Sequence, residues 1–326
     1  MRIGIVGPVW SDSFTTNIVD ALPAMGHQPV ALGSSFSLGG PYTSAFAVAV
    51  RNSLPALDER MQQRIARAAL EAECEIVINL EQRLMPSVVR QMRRNRVKVA
   101  MWFPDALLNM GRQLMLLAPY DAIFVKEPHV VDRLRAVLDL PLFYLPEACN
   151  PRWHRPLVAP GTEPYLVLAG NMYPSRILLL ERLLASGIPL RLFGGGFPRW
   201  IGQTPLRAVH AGRCVFAEEK AQVFRSAVAV LNTMHPSEIH GVNARLFEAA
   251  GCGAAVLTEF RPVLPDLFGV GTEVLAFHDF DELVSQARRL LGEVGLSAKL
   301  GDAAAARAHE SHTYEKRLAV ILEKLS

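Results

Sequence analysis

Short apolar runs alternate with amphipathic segments along almost the whole chain, and this rhythm restricts the fold more than any other feature. Apolar runs bounded by polar turns are typical of strands that are buried on both faces of a parallel sheet. Strands that alternate with helices indicate an α/β fold with βαβ units. In the first half of the chain we predict strands at Ile3–Val6, Ile76–Leu80, Val97–Phe103, Ala122–Val125 and Leu142–Leu145.

The segment PEACNPRWHRPLVAPGTEP (146–164) interrupts this rhythm with five prolines, and we interpret it as a linker. The alternation then resumes with the strand patterns YLVLAG, LRLFGGG, VAVLN and AAVLT. Two doubly wound, Rossmann-like halves fit this pattern best. We predict a first domain over residues 1–155, a second over 156–311 and a terminal helix over 312–326.

Composition excludes several classes of protein. A net charge of +3 over 326 residues is too small for a typical nucleic-acid binder, although a mildly basic surface suits small anionic ligands. No apolar run reaches the roughly 18 residues of a membrane span, and the N-terminus lacks the pattern of a signal peptide. The four cysteines have no metal-ligand spacing. We therefore expect a cytoplasmic enzyme without a transmembrane segment.

We expect the ligand-binding site to lie at the turns that follow the strands. Open α/β sheets bind ligands beyond the carboxyl ends of their strands, where loops lead into helices. With two such sheets we expect the site to lie in a cleft between them. The turns concerned are Gly7–Thr15, Phe103–Asn109, Gly170–Arg176, Gly194–Trp200 and His235–Asn243.

The stretch HGVNARLFEAAGCG (240–253) combines a short apolar helix with three polar side chains near its start. Asn243 is a suitable N-cap, and the free N–H groups of the first turn form an anion site that Gly241 keeps open. Arg245 adds a positive charge that can bond to phosphate. Glu248 lies too far along for phosphate but is well placed to accept hydrogen bonds from ribose hydroxyls. Together these residues describe a nucleotide site.

Several segments then resemble one family of enzymes. NARLFEAAGCGAAVLTE, FDELVSQARRLL and SHTYEKRLAVIL are similar to the C-terminal half of nucleotide-sugar glycosyltransferases with the GT-B fold. The likeness is greatest to those related to spore-maturation proteins, whose helix reads Asn-x-Arg-x-Phe-Glu. It extends upstream through WFPD, YDAIFVKEPHVVDRLR, YLPEACNP, LAGNMYPSR and AVAVLN. The resemblance implies two Rossmann-like domains facing across a cleft, a terminal helix that returns to the first domain, and sugar transfer to an acceptor hydroxyl.

The resemblance also implies roles for the matching positions. Glu248 corresponds to the carboxylate that holds the ribose, and Gly241, Val242 and Asn243 to the turn that meets the donor diphosphate. Gly170 and Asn171 correspond to a loop that lines the donor sugar or phosphate, with Arg176 as a phosphate partner. Gly7, in the first loop, completes the predicted donor-binding set. Where retaining relatives carry a first Glu, eight positions before the ribose Glu, this chain has His240, so the stereochemical outcome stays open.

The predicted catalytic residues are Asp105, Asp12 and His240. Asp105 follows a strand and is the preferred base or sugar-binding carboxylate, while Asp12 is the second choice. His240 is a candidate to bond the diphosphate or a sugar hydroxyl. We expect no metal, because Asp279 and Glu282 in HDFDE (278–282) fit a helix capping box better than a metal site.

Alternatives to these roles and to this function stay open. Asp105 and Asp12 also fit helix caps or turns, and Arg176, Arg245 and Glu248 also fit helix-surface positions. Nucleotide-sugar epimerases share this fold, and a non-catalytic nucleotide-binding protein is a further alternative. The acceptor class is a glycan, natural product, protein or lipid-linked molecule, and the basic segment RQMRRNRVK (90–98) leaves peripheral membrane contact open. The residues do not specify the nucleobase, the sugar or the oligomeric state.

Overall fold

A computed structural model describes residues 1–35, 53–105, 114–158 and 161–326, so the predicted turn Phe103–Asn109 ends outside the described residues. The chain divides into two compact units, which are Met1–Pro146 with Tyr314–Ser326, and Glu147–Thr313. Within the described ranges, no helix has the length and apolar character that a membrane crossing requires.

The first unit contains a six-stranded parallel sheet in the order β2-β1-β3-β4-β5-β6. Its core strands consist of apolar residues with almost no exposed surface, as a sheet covered on both faces requires. The strands are β1 (Arg2–Val6), β2 (Gln28–Gly33), β3 (Ile76–Asn79), β4 (Lys98–Phe103), β5 (Ala122–Val125) and β6 (Leu142–Tyr144). The helices that the structure describes before residue 146 are α1 (Phe14–Ala21), α2 (Pro55–Glu71), α3 (Pro86–Arg94), α4 (Leu114–Leu117) and α5 (Pro128–Arg135), with a 3₁₀ turn at Pro23–Met25.

Strand β2 is absent from the predicted set, and its position explains why. It is an edge strand that pairs only with β1 among the described strands, and most of its residues are partly or fully exposed. It also contains Pro29 and ends at Gly33, which are residues that edge strands tolerate and buried strands do not. Its sequence therefore lacks the apolar run by which the other strands are recognised.

The second unit contains a five-stranded parallel sheet in the order β11-β10-β9-β7-β8. From β7 the chain continues to β8, its neighbour on one side, whereas from β9 it continues to β10, its neighbour on the other side. The strand order therefore reverses between β7 and β9. The strands are β7 (Glu163–Ala169), β8 (Leu190–Phe193), β9 (Ala227–Asn232), β10 (Val256–Glu259) and β11 (Leu275–Phe277). The helices are α6 (Pro174–Ala185), α7 (Ala217–Ser226), α8 (Ala244–Gly251), α9 (Leu264–Leu267), α10 (Phe280–Gly292) and α11 (Leu296–Ser311), with a 3₁₀ turn at Pro205–Ala208.

The segment predicted as a linker is packed into the second unit over part of its length. Cys149 and His154 have no exposed surface, and Asn150 is buried as well. The backbone N–H of Cys149 donates to the carbonyl of His312 at 2.9 Å. The prolines therefore shape a buried connection, and the chain becomes part of the second unit from Glu147 onward.

The last helix, α12 (Tyr314–Leu325), belongs to the first unit. The Tyr314 ring lies 5.8 Å from that of Phe14 and 6.1 Å from that of Trp102, between centroids. Two parallel sheets with intervening helices, followed by a terminal helix that returns to the first unit, confirm the predicted α/β fold class.

Candidate functional site

The carboxyl ends of β7 and β9 form the topological switch point of the second unit, and Arg176 connects the loops that leave them. Its Nη1 donates to the carbonyl of Asn171 at 2.8 Å. Its Nε and Nη2 donate to the hydroxyl and the carbonyl of Thr233 at 2.7 and 2.9 Å. Open α/β sheets bind ligands in the crevice at such a point. Arg176, a predicted phosphate partner, therefore lies where a fold of this kind binds ligands.

The surroundings of Arg176 combine burial, an aromatic ring and charges of both signs. The guanidinium carbon lies 4.2 Å from the centre of the Tyr173 ring. Burial lowers the pKa of Arg176, and the charge of Arg245 lowers it further, while Tyr173, Glu238 and Glu259 act in the opposite direction. A guanidinium held at a switch point is a suitable partner for a bound anion.

Two glycines bring the loops after β7 and β8 into contact. A Cβ atom on Gly194 would lie 2.1 Å from the carbonyl oxygen of Gly170, so no other residue fits there without backbone movement. The N–H of Gly170 donates to the carbonyl of Phe193 at 2.9 Å. Gly170 and Asn171, both predicted donor-site residues, thus lie beside Arg176.

Asn243 occupies the N-cap position of α8, as predicted, but its side chain does not cap the helix. Its Nδ2 is directed instead to the carbonyl of Thr233 at 3.3 Å and the sulfur of Met234 at 3.4 Å. Its Oδ1 is buried and accepts no hydrogen bond from the described residues. The first turn of α8 is therefore not closed by its own N-cap side chain, which suits an anion site.

The rest of the turn before α8 is well packed. Gly241 and Val242 are buried, and His240 is partly exposed. The carbonyl of His240 accepts a long hydrogen bond, 3.4 Å, from the N–H of Val263. The structure places this turn next to the Arg176 loops through Asn243, and the roles of the three residues stay predictions.

Glu248 lies within a cluster of basic side chains. Its Oε1 is 3.1 Å from Nζ of Lys220, and its Oε2 is 2.5 Å from Nη1 of Arg245. A ring nitrogen of His154 lies within 4.8 Å of a Glu248 carboxylate oxygen. The Arg245 guanidinium also sits 5.5 Å from the centre of the Phe224 ring. Arg245, predicted as a phosphate ligand, is therefore bonded to the predicted ribose carboxylate one helical turn away.

Sequence reasoning missed Lys220 and His154. Lys220 is the buried lysine of α7 and shares a face with Phe224, four residues later, which is the signal that periodicity offers. The run AEEK (217–220) reads instead as the solvated start of an amphipathic helix. His154 stands in the proline-rich segment, where no periodicity marks it as buried.

The predicted site residues of the first unit all lie at the carboxyl edge of its sheet. Gly7 follows β1, and a Cβ atom there would lie 2.5 Å from the Thr15 hydroxyl, so close packing accounts for the glycine. Asp12 has a left-handed backbone, with φ of 57°, and accepts from Nδ2 of Asn17 at 3.2 Å. Asp105 is exposed, two residues beyond β4. Their roles in binding and catalysis stay predictions.

The segment HDFDE forms a helix start, as the capping-box interpretation predicts. The side chain of Asp279 accepts from the N–H of Glu282 at 2.8 Å and caps α10. Glu282 accepts in turn from the N–H of His278 at 2.8 Å. The backbone and ring of His278, as hydrogen-bond donors, lower the pKa of Glu282. These two carboxylates are used for local structure.

A cavity of about 450 Å³ adjoins Arg176 and Thr233 at the carboxyl edge of the second sheet. Arg182, Arg261 and Phe280 contribute to its walls, and Glu259 pairs with Arg261 at 2.9 Å. Its volume falls in the range of small-molecule sites, about 300–1,000 Å³.

Comparisons with known proteins agree with this geometry. Residues 176–323 match the family described as glycosyl transferase-like. No curated protein matches the chain. Sucrose-phosphate synthase from Thermosynechococcus elongatus has a similar structure, with a TM-score of 0.71, 14% identity and coverage of 99% of this chain and 97% of that one.

Two further solved structures are similar over their whole length. AviGT4, a glycosyltransferase involved in avilamycin A biosynthesis, has a TM-score of 0.66 and 17% identity, covering 99% of this chain and 96% of that one. Anabaena HepE, in complex with UDP-glucose, has a TM-score of 0.69 and 13% identity, covering 100% of both chains. The fold is therefore GT-B, and the chain carries a glycosyl transferase-like domain. The predicted fold and the predicted class of enzyme, a glycosyltransferase, are confirmed.

Proposed function

We propose that the chain transfers a sugar from a nucleotide diphosphate sugar to an acceptor hydroxyl, with the donor held by the second unit. One observation carries this proposal: the guanidinium of Arg176 donates to both loops of the switch point, so the unit holds a positive charge where its fold binds ligands. A diphosphate offers the oxygen acceptors that a guanidinium at this point can bind.

The groups around the switch point bind different parts of the donor. Arg176 and the first turn of α8 take the diphosphate, because both offer donors to an anion. Glu248 takes the ribose hydroxyls, and the turn Gly241–Asn243 with Gly170 and Asn171 lines the phosphate and the sugar. The leaving diphosphate is neutralised by protein groups in this scheme, so transfer is metal-independent. Asp105, with Asp12 and His240 as the other candidates, orients the acceptor hydroxyl or takes its proton.

The acceptor is a glycan, natural product, protein or lipid-linked molecule, and peripheral membrane contact through the basic end of α3 belongs to the last of these cases. UDP and its sugars are the first donors to test, because HepE, a structural neighbour, was solved with UDP-glucose.

A thermal-shift screen tests the proposal directly. UDP, GDP, dTDP, CMP and their sugars are compared at about 100 times their Kd, where a bound ligand raises stability by about 2.7 kcal/mol, or several degrees in Tm. We expect Glu248→Ala and Arg176→Ala to remove most of the shift given by the best nucleotide. Arg288→Ala, a change of the same type at an exposed residue of α10, serves as the control. An unchanged shift in both site variants refutes the assignment.

The same preparation separates transfer from its rivals. Incubating the preferred donor alone and analysing its sugar detects an epimerase, which rearranges the donor without an acceptor. Binding without turnover of any donor, with or without acceptors and with or without EDTA, identifies a non-catalytic nucleotide-binding protein. Turnover that EDTA abolishes contradicts the metal-independent scheme.

A further inference from the structure

We propose that Lys220 is a positioning residue for the donor, which holds Glu248 in the orientation that receives the ribose. This inference rests on the function proposed above and adds a residue that neither the sequence motif nor the fold points to. Lys220 lies on α7, which is followed in the chain by β9 and then by α8, the helix that carries Glu248.

The contact is buried and directional. The Nζ of Lys220 lies 3.1 Å from Oε1 of Glu248, and the two side chains are 4% and 10% exposed. Arg245 binds the other oxygen, Oε2, at 2.5 Å. Each oxygen of an ionised carboxylate has about two acceptor positions, so an oxygen that binds a cation can also accept from a hydroxyl group. The two cations thereby fix the plane of the carboxylate.

Packing alone does not account for this lysine. The other buried residues of α7, Ala221 and Phe224, are apolar, and an apolar residue at position 220 would fill the same face without burying a charge. A buried ion pair is often no more stabilising than an apolar pair of similar volume. A buried lysine that contacts the proposed ribose ligand therefore indicates a role in holding that ligand.

The experiment measures discrimination between nucleotides, because a merely structural role would not change it. UDP, 2′-deoxy-UDP and 3′-deoxy-UDP are titrated into the full chain by calorimetry. A hydroxyl bonded to an oriented carboxylate favours UDP over at least one deoxy analogue by about tenfold or more. We expect Lys220→Met to weaken UDP binding and to bring this ratio close to one, since the carboxylate is no longer fixed on the Oε1 side.

Two further variants make the result specific. Lys220→Arg retains a cation on the same face and should recover most of the discrimination. Lys299→Met, the same substitution at an exposed lysine of α11, should behave as the unaltered chain. Should Lys220→Met not fold, Lys220→Gln, which keeps a donor but loses the charge, is measured with the same three nucleotides.

The outcomes distinguish this inference from the proposed function. If Glu248→Ala abolishes the discrimination but Lys220→Met, or Lys220→Gln in its place, lowers all affinities equally and keeps the ratio, the role of Lys220 is overturned and the donor site stands. If Glu248→Ala leaves UDP affinity and discrimination unchanged, the ribose assignment itself fails, and the inference fails with it.

Discussion

At the residue scale, His210 is a group whose ionisation the fold opposes. The N–H of Gly212 donates to its Nδ1 at 2.9 Å, and the ring packs 5.2 Å from that of Phe197. Burial lowers the pKa of His210, and the positive charge of Arg191 lowers it further. The folded state therefore favours the neutral ring more than the unfolded chain does, in which the ring takes up a proton near its ordinary pKa of about 6.5.

The lowered pKa of His210 makes the free energy of unfolding depend on pH. The contribution of His210 to stability is fully present above about pH 6.5 and is lost as pH falls from there toward the lower pKa of the folded state. We expect His210→Gln to reduce the loss of stability between about pH 7 and pH 5. Urea unfolding at several pH values measures this, with His27→Gln as a control of the same type in the first unit. A pH profile identical to that of the unaltered chain contradicts the prediction.

Residue types in the candidate site were predictable, but their partners were not. Glu248, Asn243 and Arg176 were predicted from local patterns. Asn243 stands at the N-cap position of the helix that carries Glu248, and Arg176 lies in the first turn of α6, so each pattern lies within a single element and its preceding turn. The Arg176 contact with Thr233 spans 57 residues, and the Lys220–Glu248 pair joins two helices. Such contacts depend on how separate elements pack, which a local pattern does not record.

At the scale of elements, α8 is held in place by unusually close backbone contacts. A Cβ atom on Gly301 of α11 would lie 2.2 Å from the carbonyl oxygen of Gly253, just after α8 ends. A Cβ atom on Gly251 would lie 2.9 Å from the Cβ of Cys149. The helix that carries Glu248 is thus packed directly against α11 and the proline-rich segment, and it has little freedom to shift.

Gly301→Ala tests this packing. The added methyl group meets backbone and not a flexible side chain, so we expect a destabilisation of about 1–3 kcal/mol and weaker nucleotide binding through displacement of α8. Gly292→Ala is the matched control, since it lies in the last turn of α10 with no atom within 4 Å of the added Cβ, and should be neutral or slightly stabilising. Denaturant unfolding compares the two, and equal stabilities would contradict the proposed contact.

Elements with strong apolar periodicity were predicted within one or two residues, as β5 at Ala122–Val125 shows. The predicted strands of the second half also form, because their runs are buried on both faces of the sheet. The failures, β2 and the proline-rich segment, share a cause. In both, position in the fold decides burial, and neither an exposed edge strand nor a non-periodic buried turn leaves an apolar rhythm in the sequence.

At the scale of the whole molecule, the end of the chain completes the unit in which the chain begins. Helix α12 contributes Tyr314, Leu318 and Ile321 to the first unit, each with 2% exposure or less. These residues follow the entire second unit in sequence, so the core of the first unit is built from segments on both sides of the second. Periodicity predicted this helix, but only the resemblance to GT-B enzymes implied the unit to which it returns.

The stability of the first unit should therefore depend on a residue near the C-terminus. Leu318 has no exposed surface, whereas Val320 on the same helix is 37% exposed. We expect Leu318→Ala to cost about 2–5 kcal/mol through loss of burial and formation of a cavity, and Val320→Ala to stay within about 1 kcal/mol. Hydrogen exchange locates the effect, since the amides of β4 and β5, which α12 contacts, should lose protection in Leu318→Ala alone. Loss of protection confined to strands of the second unit would show that α12 stabilises a different part of the molecule.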